Sequence, residues 1–225
     1  MKTQSHPAPP KHKVFIVEDH PVFREGLVQL VNGEEDMAVC SQAGDAEEAL
    51  QKIPQLKPDL VLVDISLPGK SGLEIIKSIR AVNRQIKLLV VSMHDEAVYA
   101  NRVLRAGGDG YVMKQEDSEE IIHAIRDVMS GHIYVSERVL ASTSKASLEP
   151  GSKPRIRPLD QLADSDLEIL ELLGRGKSNQ EIGRQLSLKT PEVVGRCAQI
   201  KKKLNMKGTN ELIRYAVCWV ETGRG

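Results

Sequence analysis

The sequence predicts an α/β domain built on a five-stranded, doubly wound parallel sheet, followed by a small all-helical domain. Three observations carry this. Short apolar runs alternate strictly with helical patterns as far as residue 131, a stretch rich in Ser, Pro, Lys and Gly follows at 142–158, and beyond residue 159 every pattern is helical. Continuous runs such as Leu60-Val61-Leu62-Val63 suit strands buried on both faces, as parallel strands between helices are.

In chain order, a Pro/His/Lys tail (residues 1–12) is expected to be disordered. Strands are read at 13–17, 37–42, 59–63, 87–91 and 109–113, with helices at 21–32, 45–54, 72–81, 96–106 and 118–130. The first helix is punctuated clearly. Pro21 suits a first helical position, Val22, Phe23, Leu27, Leu30 and Val31 form an apolar stripe, and Gly33 ends it. Right-handed crossovers leave few strand orders, among them 2-1-3-4-5. An IYVS segment and a short helix around 136–141 lead into the linker, which prolines stiffen and Gly and Ser loosen. The expected domains are therefore 13–135 and 159–221, joined by residues 136–158. The second holds helices near 164–173, 178–185, 190–204 and 208–220.

The 225 residues carry no net charge, which hides an asymmetry. Residues 1–150 hold 17 Lys and Arg against 22 Asp and Glu, and residues 151–225 hold 14 against 9. Different partners are expected for the two parts, and a modest basic excess on a small domain suggests either nucleic acid or a solvated surface. No apolar run reaches the roughly 20 residues of a membrane helix. The start, MKTQSHPAPPKHK, lacks the apolar segment of a secretory signal, so a cytoplasmic protein with no membrane partner is expected. Cys40, Cys197 and Cys218 are odd in number and lie among apolar neighbours, which predicts reduced, buried thiols rather than bridges or metal ligands.

Four chemical groups directly follow strands: Glu18-Asp19 in VFIVED, Asp64 in LVLVD, Ser92 in LLVVS and Lys114 in GYVMK. Ligands of open α/β sheets sit outside the carboxyl ends of the strands, so these groups should converge on one crevice. Each alone has a plain structural reading, because acids favour helix N-termini and a strand-end Asp often caps a turn. Four in register single out a site. Glu18, Asp19 and Asp64 suit Mg²⁺, which prefers a few carboxylates plus water and phosphate oxygen. The ion would relieve repulsion among the acids and leave Asp64 ionised, able to attack phosphorus in line.

Residues 13–131 resemble a bacterial response-regulator receiver domain, a flavodoxin-like fold. The resemblance rests on Glu18-Asp19, DISLPGKSG from Asp64, VVSMHDE around Ser92, and AGGDGYVMK ending at Lys114. It implies that Asp64 is the phospho-acceptor, with Asp19 a direct Mg²⁺ ligand, Glu18 acting through water, and the Ser66 carbonyl a further ligand. It also implies that Ser92 and Lys114 contact the phosphoryl group and that Tyr111 is a switch aromatic that turns inward. Ser66 and His94, two residues past Asp64 and Ser92, are expected to modulate dephosphorylation. A sensor histidine kinase is the implied donor, and catalysis is limited to the protein's own phosphorylation and dephosphorylation.

The third helix of the second domain carries Val193, Cys197, Ile200 and Leu204 on one face and turns Arg196, Gln199, Lys202 and Lys203 away from it. Such side chains can reach phosphates and base edges. LxxSDLEILELL, GKSNQEIGRQL and IKKKL resemble the LuxR-type helix-turn-helix domain, and the two domains together resemble the NarL/FixJ class of two-component transcription regulators. The match departs where that family carries Thr-Val-x-x-His and this chain has Glu192-Val193-Val194-Gly195-Arg196. The expected DNA face is Lys189, Arg196, Gln199, Lys202 and Lys203, with Arg196 contacting a base and Lys177, Asn179 and Thr190 supporting at phosphates. Double-stranded DNA, a phosphorylation-dependent homodimer and RNA polymerase are the implied partners. The competing reading is a receiver-headed protein whose C-terminal helices bind another protein, which salt dependence would separate from DNA binding. A free-standing kinase or phosphatase is disfavoured, since the chain has no nucleotide-binding glycine loop.

Overall fold

The computed structural model describes residues 11–137, 139–140 and 158–222. Most of the expected tail and of the linker lies outside them. Five parallel strands, β1 (His12–Val17), β2 (Met37–Ala43), β3 (Leu60–Val63), β4 (Lys87–Ser92) and β5 (Gly110–Met113), stand in the order β2-β1-β3-β4-β5. They alternate with α1 (Pro21–Asn32), α2 (Ala46–Leu56), α3 (Gly72–Val82), α4 (Glu96–Ala106) and α5 (Ser118–Met129). Side chains of the central strands point alternately to two apolar layers. Val14, Ile16, Leu60, Leu62, Leu89 and Val91 pack with α1 and α5, while Phe15, Val17, Val61, Val63, Leu88 and Val90 pack with α2, α3 and α4.

Helix starts follow local chemistry. Asp45, Ser71, Asp95 and Asp117 each accept a hydrogen bond from a backbone N–H in the first turn of α2, α3, α4 and α5. Many boundaries shift from the sequence reading by a residue or two, and two of the shifts have a clear cause. β1 begins at His12, within the expected tail, because His12 N donates to Asp36 O and Lys13 N to Asp59 Oδ2, tying the chain to the sheet. α2 continues past Pro54 to Leu56, since one missing N–H is offset by burial of Ile53 and by a left-handed cap at Lys57. The IYVS segment joins the edge of β5 through a parallel bridge between Gly110 and Tyr134, and residues 137, 139 and 140 are helical.

A 3₁₀ turn at Pro158–Gln161 opens the second domain, followed by α6 (Asp164–Gly174), α7 (Asn179–Gln185), α8 (Thr190–Lys203) and α9 (Thr209–Thr222). Ser178 and Glu181 form a capping box at α7. The core joins Leu167, Leu170, Ile182, Val193, Ile200 and Trp219. The layer beneath α3 and α4 runs on into Leu159, Leu162 and α6, so the domains are docked together. Arg102 of α4 secures the junction, donating to Leu159 O, Leu162 O and Asp164 Oδ1. No cysteine forms a disulfide, but only Cys197 is buried. Cys40, on the edge strand β2, is half-buried against the core, and Cys218 on α9 is exposed, a correction to the expectation of three buried thiols.

Candidate phosphoryl-acceptor site and nucleic-acid interface

Strand register brings the four predicted groups together. Val17 pairs with Val63, Val63 with Val90, and Ser92 with Met113, so Glu18, Asp64, Ser92 and Lys114 emerge side by side at the carboxyl edge of β1, β3, β4 and β5. Asp64 is 3% exposed and Ser92 fully buried. Ser92 Oγ donates to Asp64 Oδ1 at 2.7 Å. Lys114 Nζ donates to Asp64 Oδ2 at 2.7 Å and lies 2.6 Å from Glu18 Oε2. Its ammonium also stands 4.7 Å from the centre of the Phe23 ring.

Glu18, Asp19, His20 and Asp64 each present a ligand atom, all within 4.8 Å of one another. Burial and the neighbouring Asp64 charge raise the Glu18 carboxyl above its ordinary value, partly offset by Lys114. Glu18 Oε2 and Asp19 Oδ1 are buried and accept no well-formed hydrogen bond. Their near neighbours are ion-pair contacts, Lys114 Nζ and, at 2.9 Å from Asp19, His20 Nδ1. Clustered carboxylates, with Glu18 and Asp64 buried and the Glu18 pKa raised, fit a small divalent cation, which an oxygen-rich donor set selects as hard. Gly72 makes room for this edge. A Cβ there would lie 2.0 Å from Asp64 O, so α3 starts against the backbone of the acceptor residue.

Tyr111 stands inward, 1% exposed, and its hydroxyl donates to His94 O at 2.7 Å. Burial raises its pKa well above the ordinary value. Ser66 Oγ and His94 Nε2 meet at 2.5 Å, and His94 Nδ1 reaches Glu171 Oε2 of α6. Sequence reasoning missed His20, Glu168, Glu171 and Arg102. His20 could have been found from its place beside Glu18-Asp19, but no local pattern distinguishes the other three.

In the helical domain, Lys177, Lys189, Thr190, Gln199 and Lys202 are exposed and Asn179 is half-buried. Arg196 departs from the expected free base-reading side chain: it donates to Ser165 Oγ and lies 3.5 Å from Asp166 Oδ1. Lys203 Nζ donates to the same carboxylate at 2.6 Å. Asp166 is only 2% exposed, so it draws both cations back along the helix surface. Arg196 also lines the cleft that Ser71, Glu74 and Lys77 of the first domain close.

Residues 14–126 match the response regulator receiver domain model, and residues 160–216 match that of the bacterial regulatory proteins of the luxR family. The chain belongs to the NarL/FixJ-type response regulators. This response regulator is 33% identical over 210 residues to the oxygen regulatory protein NreC of Staphylococcus epidermidis, covering 91% of this chain and 96% of that one. It is 34% identical over 209 residues to NreC of Staphylococcus aureus, with the same coverage. Among solved structures, a LuxR-family two-component response regulator from Aurantimonas sp. SI85-9A1 is 31% identical with a TM-score of 0.57, covering 62% of this chain and all of that one. RcsB of Salmonella typhimurium, 21% identical, has a TM-score of 0.67 over 92% of this chain and 97% of its own, a likeness of fold. Among the described residues no helix is long and apolar enough to cross a membrane.

Proposed function

We propose that this response regulator is a cytoplasmic, DNA-binding transcription factor switched by phosphorylation of Asp64 from a sensor histidine kinase. The observation that carries the reading is Asp64 itself, held between the Ser92 hydroxyl and the Lys114 ammonium beside buried Glu18 and half-buried Asp19. Ser92 and Lys114 are placed to take up charge on the transferred group. Glu18, Asp19, Asp64 and the Ser66 carbonyl would hold Mg²⁺, which supplies charge neutralisation during transfer. The chain modifies only itself and turns over no other substrate.

The docked domain supports the second half of the reading. Arg196 faces Ser71, Glu74 and Lys77 across the junction, so reaching a base edge requires release from the receiver. A phosphoryl group adds roughly −1.5 to −2 charge near neutrality, enough to bias that equilibrium through Ser92, Tyr111 and Lys114. Released domains would pair on two half-sites as a homodimer and engage RNA polymerase. The luxR family match supports DNA as ligand, as does the solved complex of RcsB with promoter rprA DNA in the presence of the phosphomimetic BeF3-.

Selection of duplexes from a random library tests this, using full-length protein with and without acetyl phosphate and Mg²⁺, alongside Asp64→Ala. Enrichment of a symmetric site that requires Asp64 is expected. Enrichment independent of Asp64 would mean that the receiver is decoupled from output. No enrichment at low salt would favour a protein partner instead, the reading suggested by the exposed Val194 and the withdrawn Arg196.

A further inference from the structure

Ser66 and His94 rise from adjacent strand ends, each two residues beyond a group that binds or borders the acceptor oxygens. Their side chains meet at 2.5 Å, and the imidazole is 6% exposed. Tyr99 covers the ring at 4.6 Å between centroids, and Glu171 of α6, 7% exposed, bonds to Nδ1. A carboxylate at Nδ1 requires a proton there, so in the neutral ring Nε2 is the acceptor and Ser66 Oγ the donor. The order serine, imidazole, carboxylate is that of a triad in which the carboxylate fixes the ring's tautomer and direction. Here the carboxylate comes from the other domain.

This chain of three crosses a cavity of about 100 Å³, walled by Asp19, Ser66 and His94 on the receiver side and by Glu168, Glu171 and Arg175 on the other. Asp64, 3% exposed, presents a carboxylate oxygen within 4.8 Å of one on Asp19, which lines this cavity. We infer that Glu171 is a positioning residue for phosphoryl chemistry: it holds His94, and through it Ser66, as a bar across the approach to Asp64. The inference rests on Asp64 being the acceptor. In that reaction an Asp64 oxygen forms the new bond to phosphorus, the bond from phosphorus to the donor oxygen breaks, and its electron pair leaves with the donor, acetate when acetyl phosphate is used. The donor must pass the bar to come in line. Docking thereby slows phosphoryl entry.

The test uses the full chain. Labelling of Asp64 by acetyl phosphate with Mg²⁺ is followed by intact mass in wild type, Glu171→Ala, His94→Ala, the double variant and Glu171→Gln. Separately, nitrogen NMR of His94 is recorded without donor or metal. Glu171→Ala and His94→Ala should each label about tenfold faster, the scale of one charge-assisted hydrogen bond, and the double variant no faster than either. Glu171→Gln, whose amide oxygen still accepts from Nδ1, should stay within about twofold of wild type. His94 should be fixed as the Nδ1–H tautomer in wild type and averaged in Glu171→Ala. Unchanged rates in both single variants, multiplying effects in the double variant, or an averaged wild-type tautomer would overturn the inference. His94→Ala alters only the receiver, so the comparison survives if Glu171→Ala fails to fold. No labelling of any chain would overturn the acceptor reading, and this inference with it.

Discussion

Two charged side chains decide much of the chemistry. Lys114, 5% exposed, is a buried cation set between the carboxylates of Glu18 and Asp64. Breaking a buried pair by removing one partner costs about 3–5 kcal/mol, because the remaining charge stays desolvated. Lys114→Ala should therefore melt markedly lower than wild type in a chelator and recover most of the loss in Mg²⁺, a comparison that calorimetry makes directly. The same variant should still accept phosphoryl on Asp64 while its DNA binding no longer responds; a fully responsive variant would count against the switch. Asp166 acts in the other domain, pairing with Arg196 and Lys203, whose side chains each stay 37% exposed. Asp166→Asn should raise nonspecific DNA affinity and steepen its salt dependence by about one to two phosphate contacts. An unchanged salt slope would remove both cations from the DNA face.

At the scale of elements, the acceptor site depends on how closely α3 approaches β3. Gly72 begins α3 with its N–H bonded to Ile65 O, and a Cβ there would meet backbone, Asp64 O at 2.0 Å and Ile65 Cα at 3.0 Å. Backbone cannot rotate aside as a flexible side chain can. Gly72→Ala should cost about 3 kcal/mol or more of stability, the range of severe core strain, and should slow phosphorylation by displacing Asp64. Denaturant unfolding reads the first effect and mass labelling the second. Chain punctuation made part of this region legible in advance, through the apolar runs ending in Asp64 and Ser92, whereas the Ser71 cap of α3 is seen only in the structure. The close approach itself was not legible, because a glycine at a helix start has many causes and only the packed backbone selects one.

At the scale of the whole molecule, the domain junction should respond to pH. Burial against the receiver pushes the Glu168 carboxyl from 4.5 up to about 7, an effect that Asp164 and Glu74 add to and that Ser71 and His94 oppose. Glu171 and Arg175 share its cavity. A raised acid pKa means that the docked state takes up a proton. Its contribution is fully present below the unshifted value and is lost as pH rises through about 7, amounting to at most about 3 kcal/mol. Small-angle scattering between about pH 5 and 8 should show the radius of gyration increasing with pH, and Glu168→Gln should flatten the change. A wild-type profile already flat would place the proton uptake elsewhere.

The sequence by itself determined the two-domain architecture, the strand ends that carry Glu18, Asp64, Ser92 and Lys114, and the helix-turn-helix pattern. Each of these follows from local signals: hydrophobic period, capping residues, and chemical groups at fixed offsets from strands. The tertiary structure alone decided that α6 docks over the acceptor site, that Glu171 reaches His94 across 77 residues of chain, and that Asp166 withdraws Arg196. A charged residue on an amphipathic helix reads the same in sequence whether it faces water, DNA or another domain. The difference is desolvation, and desolvation is set by which surfaces meet.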